Sequence, residues 1–333
     1  MNSTVLRAPA HFYRPSRSHV VVVGGGTMGA GIAVTLCRAG CKTTVLESNP
    51  ERAQHVPTLV ADGLQQLGVT ADPALLHVHS TLEALPWDEI DIVIECIPER
   101  LDIKQELFAK LEQNARPDAL LCSNSSSFPI SDIARGLKSS ERMLGLHYFM
   151  PAHLTPLVEV VCGAATGQDH AQNLYTFMQQ CGMVPVLVKK DLPGFLANRL
   201  QHALSREAFA LIDAGVASPE DVDAAVRFGF GFRFLAAGPV MQRDHAGLDV
   251  HCAAGATIYP SLSNTSQPST SLTDRVEAGH WGMKTGQGFY QWTPESMQKE
   301  KQRYQSILLA GLQLLQADLP PVADALDEEN TTS

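Results

Sequence analysis

From Ser18 to about Lys190, short apolar runs rich in β-branched residues alternate with stretches whose apolar residues recur at helical spacing. The strand-like runs are HVVVVG from His19, KTTVLES from Lys42, DIVIECIP from Asp91, ALLCSNSS from Ala119, MLGLHYF from Met143, LVEVV from Leu157 and MVPVLVK from Met183. Such alternation predicts a mostly parallel sheet wrapped by helices, a doubly wound α/β domain over residues 19–190. After Asp191 the period changes. FLANRLQHALSREAFALIDAG places Phe195, Leu196, Leu200, Ala203, Leu204, Ala208, Leu211 and Ile212 on one helical face and stops at Gly215, a residue suited to a left-handed C-terminal cap. Ser218-Pro219-Glu220-Asp221 reads as N-cap, first-turn proline and acidic first turn of a second helix running through Arg227. Thr293-Pro294-Glu295 opens another, carrying Ile307, Leu308, Leu312 and Leu315. Residues 191–320 are therefore predicted to form a smaller all-α domain. Within it SLSNTSQPSTSLT, Ser261 to Thr273, reads either as a mobile loop or as a plain helix–helix connection, and residues 321–333 read as a frayed tail.

Composition narrows the partners. At 333 residues and 44% hydrophobic content, the chain can bury a core in each of two domains. Its net charge is −10, and no run of Lys or Arg could neutralise successive phosphates, so nucleic acid is not an expected partner. Residues 1–18 contain Arg7, Arg14 and Arg17 but no apolar stretch of signal-peptide length, and read as a flexible extension. No apolar run approaches the ~20 residues of a membrane span. The seven cysteines are scattered without a CxxC pair, which fits reduced thiols and a cytoplasmic protein. No metal site is expected.

The chemistry begins in VVVGGGTMGAG. Gly24-x-Gly26-Thr27-Met28-Gly29 follows a strand and opens a helix. The first glycine permits a tight turn and the second lets backbone N–H groups approach a pyrophosphate. The third lets helix and strand pack closely, with the helix N-terminus aimed at the phosphates. The next strand ends in Glu47, whose carboxylate suits the hydroxyls of an adenosine ribose and repels a 2′-phosphate. A Rossmann-type domain binding NAD is the expectation. Arg52, five residues on, leaves some use of NADP open.

Six further stretches carry a resemblance: DIVIECIPERLDIKQELFAKLE, LCSNSSSFPISDIA, GLHYFMPAHLTPLVEVV, DLPGFLANRL, GVASPEDVDAA and KTGQGFY. In order and spacing they resemble the 3-hydroxyacyl-CoA dehydrogenase family, from Val20 to about Trp292. The resemblance implies a Rossmann-type domain followed by a helical domain that dimerises, and reversible oxidation of a C3 secondary alcohol by NAD. It implies that His147 is the general base, that Glu159 orients it, and that Ser126 and Asn198 contact the substrate oxygen. Glu99 and Lys104 would lie near the nicotinamide ribose. The chemistry suits these types. Hydride removal requires the hydroxyl proton to leave, imidazole is a base matched to neutral pH, and a carboxylate on its other nitrogen fixes the tautomer. Bland readings stand beside them: Asn198 and Glu99 near helix starts as caps, Lys104 as a surface lysine, Ser126 as one hydroxyl in a serine-rich run.

Three departures bear on the substrate. Met150 stands where the family has an asparagine three residues after the histidine. FRFLAAGP, Phe232 to Pro239, is about three residues longer than the family's turn, and resembles the branch acting on small free acids, where Arg233 would clamp a substrate carboxylate. An exposed helix-end arginine is the plain alternative. Between Ala53 and Trp87 there is no Lys or Arg to meet the phosphates of CoA. The expected substrate is therefore a small hydroxy acid, with an acyl-CoA thioester, or a non-catalytic NAD-binding role, as alternatives.

Overall fold

The computed structural model describes residues 14–323; the first thirteen residues of the predicted extension and residues 324–333 of the predicted tail lie outside them. The described chain divides into two compact units, one ending at Leu196 and rejoined by residues from Gln316, the other spanning Ala197–Leu315.

The first unit is built on β1 (His19–Val23), α1 (Thr27–Arg38), β2 (Lys42–Leu46), α2 (Pro50–Gln66), β3 (Leu76–His79), β4 (Ile92–Glu95), α3 (Leu101–Asn114), β5 (Leu120–Ser123), α4 (Ile130–Ile133), β6 (Met143–Tyr148), β7 (Leu157–Cys162), α5 (Gln168–Gln180) and β8 (Val184–Val188). Among the described residues these strands form one eight-stranded sheet, ordered β3-β2-β1-β4-β5-β6-β7-β8. Every pair is parallel except β6 with β7. The predicted mostly parallel, doubly wound sheet is what forms.

Its central strand explains the valine run. All five residues of β1 are buried. Val20 and Val22 join the apolar cluster on one face of the sheet, Val21 and Val23 the cluster on the other. A strand covered on both faces has no polar side to show, so its sequence cannot alternate. The strand order reverses between β1 and β4. In such sheets the crevice beyond the carboxyl ends of the strands at that reversal is where a ligand binds, and Gly24 and Cys96 sit at those two ends.

Two boundaries differ from the sequence expectation. The first unit runs six residues past 190, because Phe195 is buried in its core beside Val161 and Ile130. Its chain also returns: Val322 bridges to Cys181 and packs against the α5 face, and the Ala323 N–H donates to the Gln180 carbonyl at 2.9 Å. Residues 321–323 are thus paired, not frayed. At the other end Arg17 closes a short turn and the Ser18 carbonyl accepts from Cys41 Sγ, so residues 14–18 are likewise tied down.

The second unit is all-α: α6 (Ala197–Asp213), α7 (Pro219–Ala225), α8 (Gly231–Phe234), α9 (Pro239–Ala246), α10 (Leu248–Ile258), α11 (Thr270–Glu277) and α12 (Pro294–Leu314). Ser218 caps α7 through the Asp221 N–H, as its sequence demands, but the regular helix ends at Ala225. Val226–Phe230 widens into a π-type turn with Gly229 outside helical geometry. The Ser/Thr-rich stretch is fastened to α6. Glu207 accepts from the Ser263 N–H at 2.7 Å, and Asp213 accepts from the Thr270 and Ser271 N–H groups at 3.0 Å, which caps α11. Two motifs meet within the unit: the Tyr290 hydroxyl of KTGQGFY donates to Asp223 at 2.6 Å, while Phe289 stacks on Phe209 under the Arg275 guanidinium.

Candidate active site

At the end of β1 the chain turns through Gly24 at φ +109°, and a Cβ there would lie 2.8 Å from the Cys96 carbonyl oxygen. A Cβ on Gly29 would lie 1.8 Å from the Gly24 oxygen. Only glycine fits either place, and this close packing brings the start of α1 against the strand end. Gly26 precedes α1 without a side-chain cap, and nothing lies within 4 Å of where its Cβ would stand. Gly26 and Thr27 are exposed at the start of α1, where the first-turn N–H groups have no acceptor within the helix and the positive end of its dipole lies. A dinucleotide pyrophosphate fits that cradle.

Glu47, at the end of β2, is 4% exposed. Its Oε2 accepts from the Gly25 N–H at 2.9 Å, and its Oε1 accepts from the Asn49 N–H at 2.8 Å and from Arg52 at 3.1 Å. Burial pushes the carboxyl up, but the two backbone donors and Arg52 outweigh it and hold Glu47 below the usual carboxylate range. It is anionic beside the glycine turn, as a ribose acceptor must be.

The antiparallel pairing of β6 with β7 sets His147 directly opposite Glu159. His147 Nδ1 lies 2.7 Å from Glu159 Oε2, with both side chains buried. A buried, unpaired carboxylate would be expensive; Glu159 also accepts from the Leu196 N–H at 3.1 Å through Oε1. With Nδ1–H donating to the carboxylate, the Nε2 lone pair points the other way, to the Ser126 hydroxyl 3.1 Å distant. Phe149 and Phe195 flank the imidazole edge-on, at 4.5 and 5.6 Å between centroids. Asn124, two residues before Ser126, accepts from the Tyr148 N–H at 2.8 Å and ties the serine loop to β6.

Glu95, at the end of β4, is fully buried and sequence reasoning missed it. It accepts from Lys104 Nζ at 2.7 Å, the Ile97 N–H at 2.7 Å and the Ser123 hydroxyl at 2.6 Å. Lys104 is 1% exposed, and its ammonium also reaches Glu99 at 3.2 Å and the Ile97 carbonyl at 3.4 Å. Truncating either member of the Glu95–Lys104 pair strands the other's charge, at about 3–5 kcal/mol. Burial pushes the Glu99 carboxyl up, yet the Ser125 and Ser127 hydroxyls, Lys104 and the Ser127 N–H bring it down to about 2. The structure thus gathers Ser126, His147, Glu159, Glu99 and Lys104 in one unit beside the glycine turn. Asn198, in the first turn of α6, and Arg233, exposed at the end of α8, belong to the other unit. Met150 follows β6 and is 67% exposed.

Known proteins resemble this chain in sequence and in fold. The profile described as "3-hydroxyacyl-CoA dehydrogenase, NAD binding domain" matches residues 19–192, and "3-hydroxyacyl-CoA dehydrogenase, C-terminal domain" matches residues 194–292. The chain is 31% identical over 294 residues to 5-formyl-3-hydroxy-2-methylpyridine 4-carboxylate 5-dehydrogenase of Mesorhizobium japonicum, covering 86% of this chain and 95% of that one. It is 32% identical over 298 residues to the mitochondrial hydroxyacyl-coenzyme A dehydrogenase of Homo sapiens, covering 82% and 91%. A crystal structure of 5-formyl-3-hydroxy-2-methylpyridine 4-carboxylic acid 5-dehydrogenase, an NAD+-dependent dismutase, superposes with a TM-score of 0.84 at 29% identity, over 90% of this chain and 98% of that one. With both of its domains matched in order and the His147–Glu159 pair built on two strands of the first, the chain belongs to the NAD-dependent 3-hydroxyacyl-CoA dehydrogenase family.

Proposed function

We propose that this dehydrogenase oxidises the secondary C3 alcohol of a small free hydroxy acid to the 3-oxo compound, and that it runs reversibly. The observation that carries the reaction is the line Ser126–His147–Glu159, with one polar contact at each imidazole nitrogen. Bound NAD supplies the hydride acceptor. As the hydride leaves the alcohol carbon, His147 Nε2 takes the hydroxyl proton. Glu159 keeps Nδ1 protonated and stabilises the imidazolium that results. The Ser126 hydroxyl donates to the oxygen as its negative charge develops, and Asn198 is the second donor.

The choice of a free acid is supported by the surface where a CoA moiety would need cations. From residue 54 to residue 86, covering most of α2 and all of β3, the chain carries no Lys or Arg although much of it is exposed. A CoA site without basic residues lacks partners for its phosphates. Arg233 is exposed and has no ion pair among the described residues, so its guanidinium is available to a substrate carboxylate. The relative from Mesorhizobium japonicum, named for a pyridine carboxylate, is consistent with this. Turnover of L-gulonate, L-carnitine and 3-hydroxybutyrate is to be compared with that of L-3-hydroxybutyryl-CoA. The expected result is at least a tenfold higher kcat/KM for one of the free acids, with Arg233→Ala costing about 10- to 100-fold on that acid and little on the thioester. A preference for the thioester overturns the assignment.

We also infer that the helical unit pairs with a second copy. Taken by itself, it leaves Phe228 (73%), Phe232 (67%) and Tyr259 (73%) exposed along with Leu235, Val240 and Leu248, more apolar surface than a solitary helical unit usually shows. Sedimentation equilibrium should give the mass of two chains; a single-chain mass across the working concentration range would remove this inference. The seven cysteines are all free thiols, which supports a reducing compartment such as the cytoplasm. Among the described residues no helix is long and apolar enough to cross a membrane.

A further inference from the structure

Glu99 gathers an unusual number of donors from one loop. Its Oε1 accepts from the Ser125 hydroxyl at 2.6 Å, the Ser127 hydroxyl at 2.8 Å, the Ser127 N–H at 3.1 Å and the Ser126 N–H at 3.2 Å. Four donors on one oxygen demand a full negative charge there, and Lys104 Nζ neutralises the other side of the carboxylate from 3.2 Å. Lys104 is itself immobile, because Glu95 holds it in the core.

The same buried Glu95 reaches the loop by a second route. It accepts from the Ser123 hydroxyl, and that hydroxyl accepts from the Ser125 N–H at 3.1 Å; the Ser125 hydroxyl then both donates to Glu99 and accepts from the Phe128 N–H at 3.1 Å. The backbone of residues 125–128 is thus pinned on either side of Ser126. The Ser126 hydroxyl is the one hydroxyl of Ser125–Ser127 not bonded to Glu99, and it faces His147 Nε2.

We propose that Glu99, fixed by the buried Glu95–Lys104 pair, is the positioning residue that presents the Ser126 hydroxyl to His147 Nε2. This rests on the catalytic reading of Ser126 and His147, and it gives Glu99 a role separate from any contact with the nicotinamide ribose. Glu99 acts through Ser126, so its effect exists only while Ser126 has a hydroxyl to place.

A double-mutant cycle reads that dependence. The proteins are the wild type, Glu99→Gln, Ser126→Ala and the double variant, assayed with whichever of L-gulonate, L-carnitine, 3-hydroxybutyrate or L-3-hydroxybutyryl-CoA the wild type turns over fastest. NADH affinity is followed separately by fluorescence. Glu99→Gln is expected to lower kcat about 10- to 100-fold, the size of a misplaced reacting group, with NADH affinity changed less than about threefold. Added to Ser126→Ala, it should lower kcat by less than about threefold more, because partners acting as one unit are not additive. The same factor in both backgrounds, or a loss of NADH affinity at unchanged kcat, overturns the proposal. Wild-type kcat in Ser126→Ala overturns instead the reading of Ser126 on which it rests, so the two failures are distinct. Glu99→Asp, which keeps the charge but withdraws it by one methylene, should repeat the pattern if Glu99→Gln proves unstable.

Discussion

Replacing His147 with Gln lowers kcat by about three to four powers of ten and leaves NADH affinity within about twofold of wild type. The size follows from the geometry. His147 is 2% exposed, and Nε2, the one basic atom of the line, faces the Ser126 hydroxyl on the side away from Glu159. A glutamine amide occupies roughly the same volume and can donate to Glu159, so the buried carboxylate keeps a partner and the β6–β7 pairing is not strained. What is lost is the ability to take a proton. The Glu47 carboxylate is held by Gly25, Asn49 and Arg52, and the cradle at Gly24–Gly29 by its own backbone, so neither depends on His147, which is why binding and turnover should separate. The measurement is steady-state kcat beside fluorescence titration with NADH. Turnover within tenfold of wild type would remove His147 as the base.

The parts of the site that follow from local rules were legible in the sequence; those that depend on register and burial were not. The glycine turn was legible because each glycine answers a local demand: Gly24 for its φ of +109° and Gly29 for a contact no side chain permits. Glu47 was legible because it ends the strand after that turn. The pairing of His147 with Glu159 depends on antiparallel register between two strands that apolar content alone does not orient; twelve histidines offered no local reason to choose this one. The resemblance supplied it, and the strand pairing supplies the physical cause. Glu95 escaped notice because its partner Lys104 lies nine residues on, on a helix whose inward face includes a lysine. An acidic residue ending the otherwise apolar strand IVIE was the available signal, since such a residue must have a partner. Composition left residues 261–273 open between a mobile loop and a plain helix–helix connection for a related reason: Glu207 and Asp213, which fasten them, are carboxylates of a helix 48 or more positions earlier. Local composition reports how well a segment solvates, and says nothing of donors waiting elsewhere on the chain.

Glu159→Gln, an isosteric change of one atom, is expected to lower kcat by about two to four powers of ten, within an order of magnitude of the loss from His147→Gln. Among its partners are two donors, one on each carboxylate oxygen. Oε2 accepts from His147 Nδ1–H and Oε1 accepts from the Leu196 N–H. Glutamine has one carbonyl oxygen and one amide nitrogen, so one of those donors must meet another donor. The Leu196 N–H cannot change its proton, whereas imidazole can move its own to the other nitrogen. The amide oxygen therefore goes to Leu196 and the amide N–H₂ to Nδ1, and the ring becomes the Nε2–H tautomer. That tautomer presents a proton to Ser126 and to the substrate hydroxyl where a lone pair is required. Glutamine fills nearly the same volume as glutamate, so the β6–β7 pairing has no steric reason to change. Two measurements check this: kcat, and the ¹⁵N chemical shifts of His147, which should show Nε2 protonated in the variant and Nδ1 protonated in the wild type. A variant with kcat within about fivefold of wild type, or with the wild-type tautomer, would show that Glu159 neither orients nor stabilises the base.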